Sequence, residues 1–212
     1  MTVLIADPDV VALPVVDSGE PLIDLAEAGL ACQAAPGSPG RRVRAGVAAR
    51  LLAAEAALPA GIHLLVVEGA RSAADQTRIV EGYQRDLRAA FPRSAEDEIQ
   101  RLSTRYVAPT AYAPHVAGAA VDLALTDARG RRLWMGTEVD ATPEESEGAC
   151  AFAAPGISAE ARAHRDLMAA ALSGAGLVNY PTEWWHWSYG DRYWALMTGA
   201  RQAHYGPVGV AS

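Results

Sequence analysis

Apolar residues at Val47, Leu51, Leu52 and Leu58 recur at helical spacing and predict a helix over 44–58. Pro59 and Gly61 end it. The run His63-Leu64-Leu65-Val66-Val67 is too short for a helix and reads as a buried strand. Ser72, followed three residues later by Asp75, carries a capping-box pattern for a helix running to about residue 90. Phe91-Pro92 stops that helix, and Ser94 with Asp97 repeats the pattern into another near 95–106. Residues 119–125 are the next strand, Asp127-Ala128-Arg129-Gly130 a turn, and 131–135 the returning strand of a hairpin. A long loop covers about 136–157. Ser158 opens a helix that Gly174 and Gly176 close, and Leu177-Val178-Asn179 and 184–189 read as the last strands.

The first 40 residues are poorly periodic and end in Pro36-Gly37-Ser38-Pro39-Gly40. They predict irregular structure wrapped on the rest. The expectation is one domain over 1–212, with an irregular segment at 1–42 and a core at about 43–195. Helices and a hairpin alternate without a βαβ rhythm or an internal repeat, so the fold class expected is α+β with a small antiparallel sheet.

Composition narrows the function classes. With 212 residues, half of them hydrophobic, the chain can bury a core without disulfides or metal. The net charge of −7 makes it a poor partner for nucleic acid or anionic membrane. All 18 basic residues are Arg, which excludes Schiff-base lysine chemistry and lysine-bearing phosphate loops. Cys32 and Cys150 have no framework spacing and read as incidental thiols. The stretch from Met1 to Pro8 lacks a basic region and is broken by Asp7, so no signal peptide is expected. No apolar run reaches 18 residues. A cytoplasmic location is the default, and a homo-oligomer is compatible with the sequence.

The chemistry concentrates in two segments. In Pro114-His115-Val116-Ala117-Gly118-Ala119-Ala120-Val121-Asp122, a His and an Asp are separated by six residues, and Gly118 permits a sharp turn between them. The other segment is Glu183-Trp184-Trp185-His186. His, Asp and His would give three protein ligands and leave one position open on a tetrahedral zinc, as a hydrolase requires. Either motif alone occurs by chance. However, Asp122 lies in an apolar strand and Glu183 among tryptophans, where an acid needs a partner or a metal. On the residues alone, a metal site and a purely structural arrangement both stay open.

These segments resemble the S-x-H-x6-D and E-x-x-H motifs of the LAS-type zinc peptidases. That group includes the D-alanyl-D-alanine dipeptidases of the vancomycin-resistance type and the D,D-carboxypeptidases. Glu68-Gly69-Ala70-Arg71-Ser72 is similar to the family's segment around an arginine, and Met135-Gly136-Thr137-Glu138-Val139-Asp140 to its M-G-T-x-F-D stretch. The resemblance covers about residues 43–190. It implies an α+β peptidase fold, one zinc per chain held by His115, Asp122 and His186, and Glu183 as general base. It further implies Arg71 on the oxyanion and Asp140 on the substrate ammonium, with Trp185 and Tyr112 as further substrate-binding positions. The implied activity is hydrolysis of a dipeptide, D-Ala-D-Ala or a related D-amino-acid dipeptide, in cell-wall metabolism. A D,D- or L,D-carboxypeptidase or endopeptidase of the same family is the alternative. The pattern departs at Ala113, where the family has Ser, and at Ala70, where it has an aromatic residue. The N-terminal Y-x-x-x-N-F-like segment of the dipeptidases is not recognisable in 1–42.

Asp140 has a second reading as part of a solvated acidic loop with Glu138, Glu144, Glu145 and Glu147. His63 reads as a core or edge histidine, His164 as part of a solvated helix face with Arg162 and Arg165, and His204 as part of a disordered tail. The cluster of Trp184, Trp185, Trp187, Tyr189, Tyr193 and Trp194 lacks a basic patch and reads as core and pocket wall rather than a base-stacking surface. Two rival functions are a non-haem iron oxygenase and a non-catalytic zinc-binding module. The oxygenase triad usually places one residue between its first His and Asp, against six here. A binding module needs neither Glu183 nor Arg71.

Overall fold

The computed structural model describes residues 2–209. Before the core come a short helix α1 (Pro8–Val11) and strands β1 (Leu22–Asp24) and β2 (Ala31–Cys32). Then follow β3 (Arg42–Arg44), α2 (Ala45–Ala57), β4 (Ile62–Glu68), α3 (Ala73–Ala90), α4 (Glu96–Ser103) and β5 (Ala120–Asp127). The chain ends with α5 (Ala159–Gly174), β6 (Val178–Asn179), β7 (His186–Ser188) and α6 (Arg192–Thr198). The architecture is α+β. A five-stranded sheet runs β2-β4-β5-β7-β6, antiparallel except for the β2·β4 pair, and β1 pairs with β3 in a separate ribbon.

Local chemistry explains most boundaries. Ser72 Oγ accepts from the Asp75 amide at 3.0 Å and starts α3, and Ser158 does the same for α5 through Ala161 at 3.1 Å. Ser94 does not cap α4. Its cap position is Ala95, and Glu96, Asp97 and Glu98 in the first turn complement the helix dipole instead.

Residues 131–135 do not form the expected returning strand. One bridge pairs Thr126 with Arg132, and the Leu133 amide reaches Leu125 at 2.9 Å. Beyond it the Met135 carbonyl is taken by Arg165 at 2.6 Å, which draws the chain off the sheet. The expectation of an irregular 1–42 segment also needs correcting, because β2 adds an edge strand to the main sheet beside β4.

Alternation along β5 divides the sheet into two faces. Val121, Leu123 and Leu125 share one face with Leu64, Val66 and Trp187. They join Val47 and Leu51 of α2 and Met168 and Leu172 of α5 in the main core. Each such aliphatic side chain contributes about 1.5–3 kcal/mol on burial. The opposite face carries Glu68, Asp122 and His186.

Three histidines take no part in this group. The His63 side chain is half-exposed and meets Glu55 at 2.7 Å, so it is an edge residue rather than core. His164 Nδ1 lies 2.8 Å from the Trp134 carbonyl. His204 is not in a disordered tail: its ring packs 5.3 Å from that of Trp194, and the adjoining Ala203 bridges to Val15. Among the described residues no helix is long and apolar enough to cross a membrane.

Candidate active site

Strand register builds the floor of the site. Asp122 pairs directly with His186 on β7 and, past an irregularity between Val66 and Glu68, with Glu68 on β4. Three polar side chains thus lie in one row across three strands. His115 comes from a short 3-10 turn, Pro114–Ala117, that precedes β5. Gly118 ends this turn at φ 64, a conformation glycine adopts without strain, and a Cβ there would lie 2.7 Å from Leu22. The turn folds His115 back over Asp122.

The three side chains converge. His115 Nε2 is 3.1 Å from His186 Nδ1 and 3.3 Å from Asp122 Oδ2, and His186 Nδ1 is 3.0 Å from Asp122 Oδ1. All three residues are buried, and one ligand atom from each lies within 4.8 Å of the others. His115 Nδ1 donates to the Gly69 carbonyl at 2.6 Å, which leaves the Nε2 lone pair facing the cluster. Zinc–ligand distances of about 2.0–2.2 Å in a tetrahedron place neighbouring ligand atoms roughly 3.4 Å apart. The donor set and its spacing therefore fit a zinc ion. Burial opposes charge on His115, but the Asp122 carboxylate outweighs it and raises the imidazole pKa. At Asp122 burial is likewise outweighed by the two imidazoles, which hold the carboxyl well below the usual range.

Around this floor lies a cavity of about 310 Å³. Its wall includes Glu183, Arg71, Asp140, Trp185, Tyr106 and Ile5. Glu183 is buried, with Oε2 3.8 Å from His186 Nδ1. Burial, then the charges of Asp122 and Asp140, push its pKa well above that of an ordinary carboxyl. Arg71 is clamped by Glu68, with Nε 2.7 Å from Oε1 and Nη2 2.5 Å from Oε2, and Nη1 donates to Gln76 Oε1 at 2.8 Å. Three of its five N–H groups are so engaged, which leaves two without a protein acceptor among the described residues. Burial opposes its charge, but Glu68 more than compensates and raises its pKa.

Asp140 stands at the solvent-open rim with φ 64, and its backbone carbonyl accepts from the Tyr106 hydroxyl at 2.5 Å. Crowding by surrounding atoms, then the charges of Asp122 and Glu68, raise its carboxyl above the ordinary range. Trp185 is buried, edge-on to Tyr106 at 6.5 Å and to Trp184 at 5.4 Å.

The structure thus gathers His115, Asp122, His186, Glu183, Arg71, Asp140 and Trp185 at one cavity. It does not bring Tyr112 there. Tyr112 packs against the cluster of Ile5, Val10, Tyr180 and Tyr193, with the Arg192 guanidinium 5.2 Å from its ring centre, and lines a separate pocket. Chain proximity to His115 is misleading at this position, because Pro114 opens the 3-10 turn between them. Glu68, Gln76, Tyr106 and Ile5 were not singled out as site residues. Glu68 carries a signal, being an acid that ends an apolar strand just before Arg71. Ile5 carries none, since only the tertiary fold brings the N-terminal segment to the cavity.

The comparisons with known proteins agree with this geometry. The family model described as D-Ala-D-Ala dipeptidase, peptidase M15, matches residues 43–203. A D-alanyl-D-alanine dipeptidase of Synechocystis sp. is 32% identical over 108 residues, covering 45% of this chain and 44% of the relative. The Escherichia coli D-alanyl-D-alanine dipeptidase is 36% identical over 72 residues, 34% of this chain and 35% of that protein. The matched stretches thus span less than half of either curated relative. The solved structure of VanYB in complex with D-alanine-D-alanine superposes with a TM-score of 0.52 at 15% identity, covering 91% of this chain and 94% of that one. At that identity the likeness speaks for the fold, and the family match covers most of the chain: the protein belongs to the D-Ala-D-Ala dipeptidase family of M15 peptidases.

Proposed function

We propose that this protein is a zinc-dependent peptidase that hydrolyses short peptides with a free amino end, in the first place D-Ala-D-Ala or a related D-amino-acid dipeptide. The observation that carries the reading is the convergence of His115, Asp122 and His186 on the floor of the cavity that also holds Glu183 and Arg71. These three side chains would hold the zinc. Zinc at that place supplies Lewis acidity, which makes water a nucleophile near neutral pH and polarises a carbonyl.

The chain's own residues do the rest. Glu183, with its raised pKa, takes a proton from the attacking water and passes it to the leaving amine. Arg71 stays charged and offers its two remaining N–H groups to the oxygen that becomes negative as the carbonyl turns tetrahedral. Glu68 and Gln76 fix the plane of the guanidinium, so little reorganisation is needed when that charge develops. Asp140 at the open rim pairs with the substrate ammonium, and Trp185 gives the substrate an apolar wall.

The test is a metal analysis of the purified protein, with assays on D-Ala-D-Ala, L,D- and L,L-dipeptides and their N-acetylated forms. One zinc per chain and cleavage of free-amino substrates far faster than of their N-acetylated forms is the expected result. Efficient cleavage of N-acylated peptides would favour the carboxypeptidase reading, and no peptide hydrolysis by the zinc-loaded protein would overturn the proposal.

A further inference from the structure

The connection between β5 and α5 carries Asp140 to the cavity rim, and a single side chain ties its two ends together. Arg165, on α5, is fully buried and has no carboxylate in salt-bridge range among the described residues. Its Nε donates to the Met135 carbonyl at 2.6 Å, at the start of the connection. Its Nη1 donates to Ala151 at 2.6 Å and Phe152 at 3.2 Å, and its Nη2 to Ala149 at 2.8 Å, all at the far end. Burial lowers its pKa to about 10, as expected of a cation held by carbonyl dipoles alone. A buried charge without a counter-ion is costly, and plain packing would be served as well by an apolar side chain of similar size.

What the guanidinium does is close a loop. Gly136 packs directly on it, since a Cβ there would lie 3.0 Å from Nη2. Its Cζ lies 5.6 Å from the centre of the Trp184 ring, and the Trp184 indole N–H in turn holds Thr137 Oγ1 at 2.8 Å. The Trp184 amide donates to the Cys150 carbonyl at 3.0 Å. The base of the loop is therefore stitched to Arg165 and to the residue next to Glu183. Within the loop Asp140 holds a left-handed φ of 64, uncommon for a residue with a side chain although Asp adopts it more readily than most. The segment is held at two points, by Arg165 at the base and by the Tyr106 hydroxyl on the Asp140 carbonyl.

We propose that Arg165 is the positioning residue for Asp140: by closing the 135–152 loop it sets the selectivity of the site for substrates with a free amino end. The inference rests on the reading of Asp140 as the ammonium partner. Lysine cannot substitute, because a point ammonium lacks the planar fork that reaches carbonyls on both sides of the loop base.

The test uses zinc-loaded full-length protein and four forms: wild type, Arg165→Lys, Asp140→Asn and the double variant. Each is assayed on D-Ala-D-Ala and on its N-acetylated form. In Arg165→Lys, zinc content should stay the same. Its kcat/KM on the free-amino dipeptide should fall on the order of 10–100-fold, mainly through KM, as expected when a binding group is displaced by about an ångström. Turnover of the N-acetylated peptide should not change. Adding Arg165→Lys to Asp140→Asn should cost nothing more, because the two act as one unit.

A readout independent of activity is amide hydrogen exchange, which should rise across 136–148 and stay slow in β5. Tyr106→Phe removes only a hydroxyl and should shift the same substrate ratio in the same direction, which keeps the proposal testable if Arg165→Lys does not fold. Equal losses on both substrates, or losses that add to those of Asp140→Asn, would overturn the proposal and leave Arg165 a purely structural tie. Failure of the underlying reading looks different: wild type itself would then not distinguish the two substrates, which overturns both, while the exchange data still report whether Arg165 holds the loop.

Discussion

His115, Asp122 and His186 reach the floor of the cavity from a 3-10 turn and two paired strands, so main-chain hydrogen bonds hold each of them within a few residues. Asp140 reaches the wall from a connection without regular structure, and Ile5 from a segment far away in sequence. Two arginines of the region, the partly buried Arg71 and the fully buried Arg165, follow the same division. Arg71 faces the cavity and is paired with a carboxylate, which leaves it charged and available to a developing oxyanion. Arg165 faces the protein and is paired only with carbonyls, which makes it a tie between chain segments. The floor is fixed by two paired strands and the 3-10 turn that leads into them, whereas Asp140 and Ile5 are placed by a few side-chain contacts. Chemistry is therefore expected to depend on the floor together with Glu183 and Arg71, and substrate choice on the rest of the wall, at Asp140 and Ile5.

The sharpest way to break this division is to remove a floor ligand. His115→Ala or His186→Ala should abolish both zinc binding and peptide hydrolysis, measured by metal analysis and steady-state assay. Zinc content that persists in both variants would show that the floor is not the metal site. Next in size, Glu183→Ala should keep its zinc yet lose about 10²–10⁴-fold in turnover, because proton transfer is lost while the ligands remain. Loss of metal in this variant would move Glu183 from base to ligand. Arg71→Ala should also keep zinc and lose on the order of 10²–10³ in kcat, since its donors act on charge present only in the transition state.

On the wall, Ile5→Ala should leave kcat unchanged and raise KM a few-fold. It should also lower stability by roughly 2 kcal/mol, the low end for truncating a buried aliphatic side chain, read as a drop in Tm. A changed kcat would mean that the N-terminal segment contributes to chemistry as well as to substrate choice. The smallest effect is expected furthest out. Asp17 accepts hydrogen bonds from Gly19, Gly206 and Arg44, and these outweigh burial and lower its pKa. A lowered folded-state pKa gives stability that is present above the unfolded value and lost as pH falls through the folded one. Asp17→Asn should therefore reduce Tm slightly at neutral pH, within the range of about 1 kcal/mol for a half-exposed pair, and the difference should close in acid.

Helix and strand positions were legible because hydrophobic spacing and caps are local. The predicted helix at 44–58 is α2 at Ala45–Ala57, and the one opened by Ser72 is α3 at Ala73–Ala90. The six-residue spacing from His115 to Asp122 was legible for a related reason, since Gly118 and the strand after it are adjacent in the chain. The hairpin return at 131–135 was not, because the pull on Met135 comes from Arg165, 30 residues away. Arg165 itself read as one more charge on a solvated helix face, and its sequence neighbours give no hint of the carbonyls gathered around it. Tyr112 was expected among the substrate-binding positions, and the turn opened by Pro114 sends it elsewhere.

By itself the sequence determined which groups can do chemistry and which stretches form regular structure, because both follow from residue type and short-range spacing. Only the tertiary structure decided which strands lie side by side, and so that Glu68, Asp122 and His186 share one row. It also decided which side of the cavity Asp140 and Ile5 occupy, because contacts between residues distant in the chain leave no periodic trace in it.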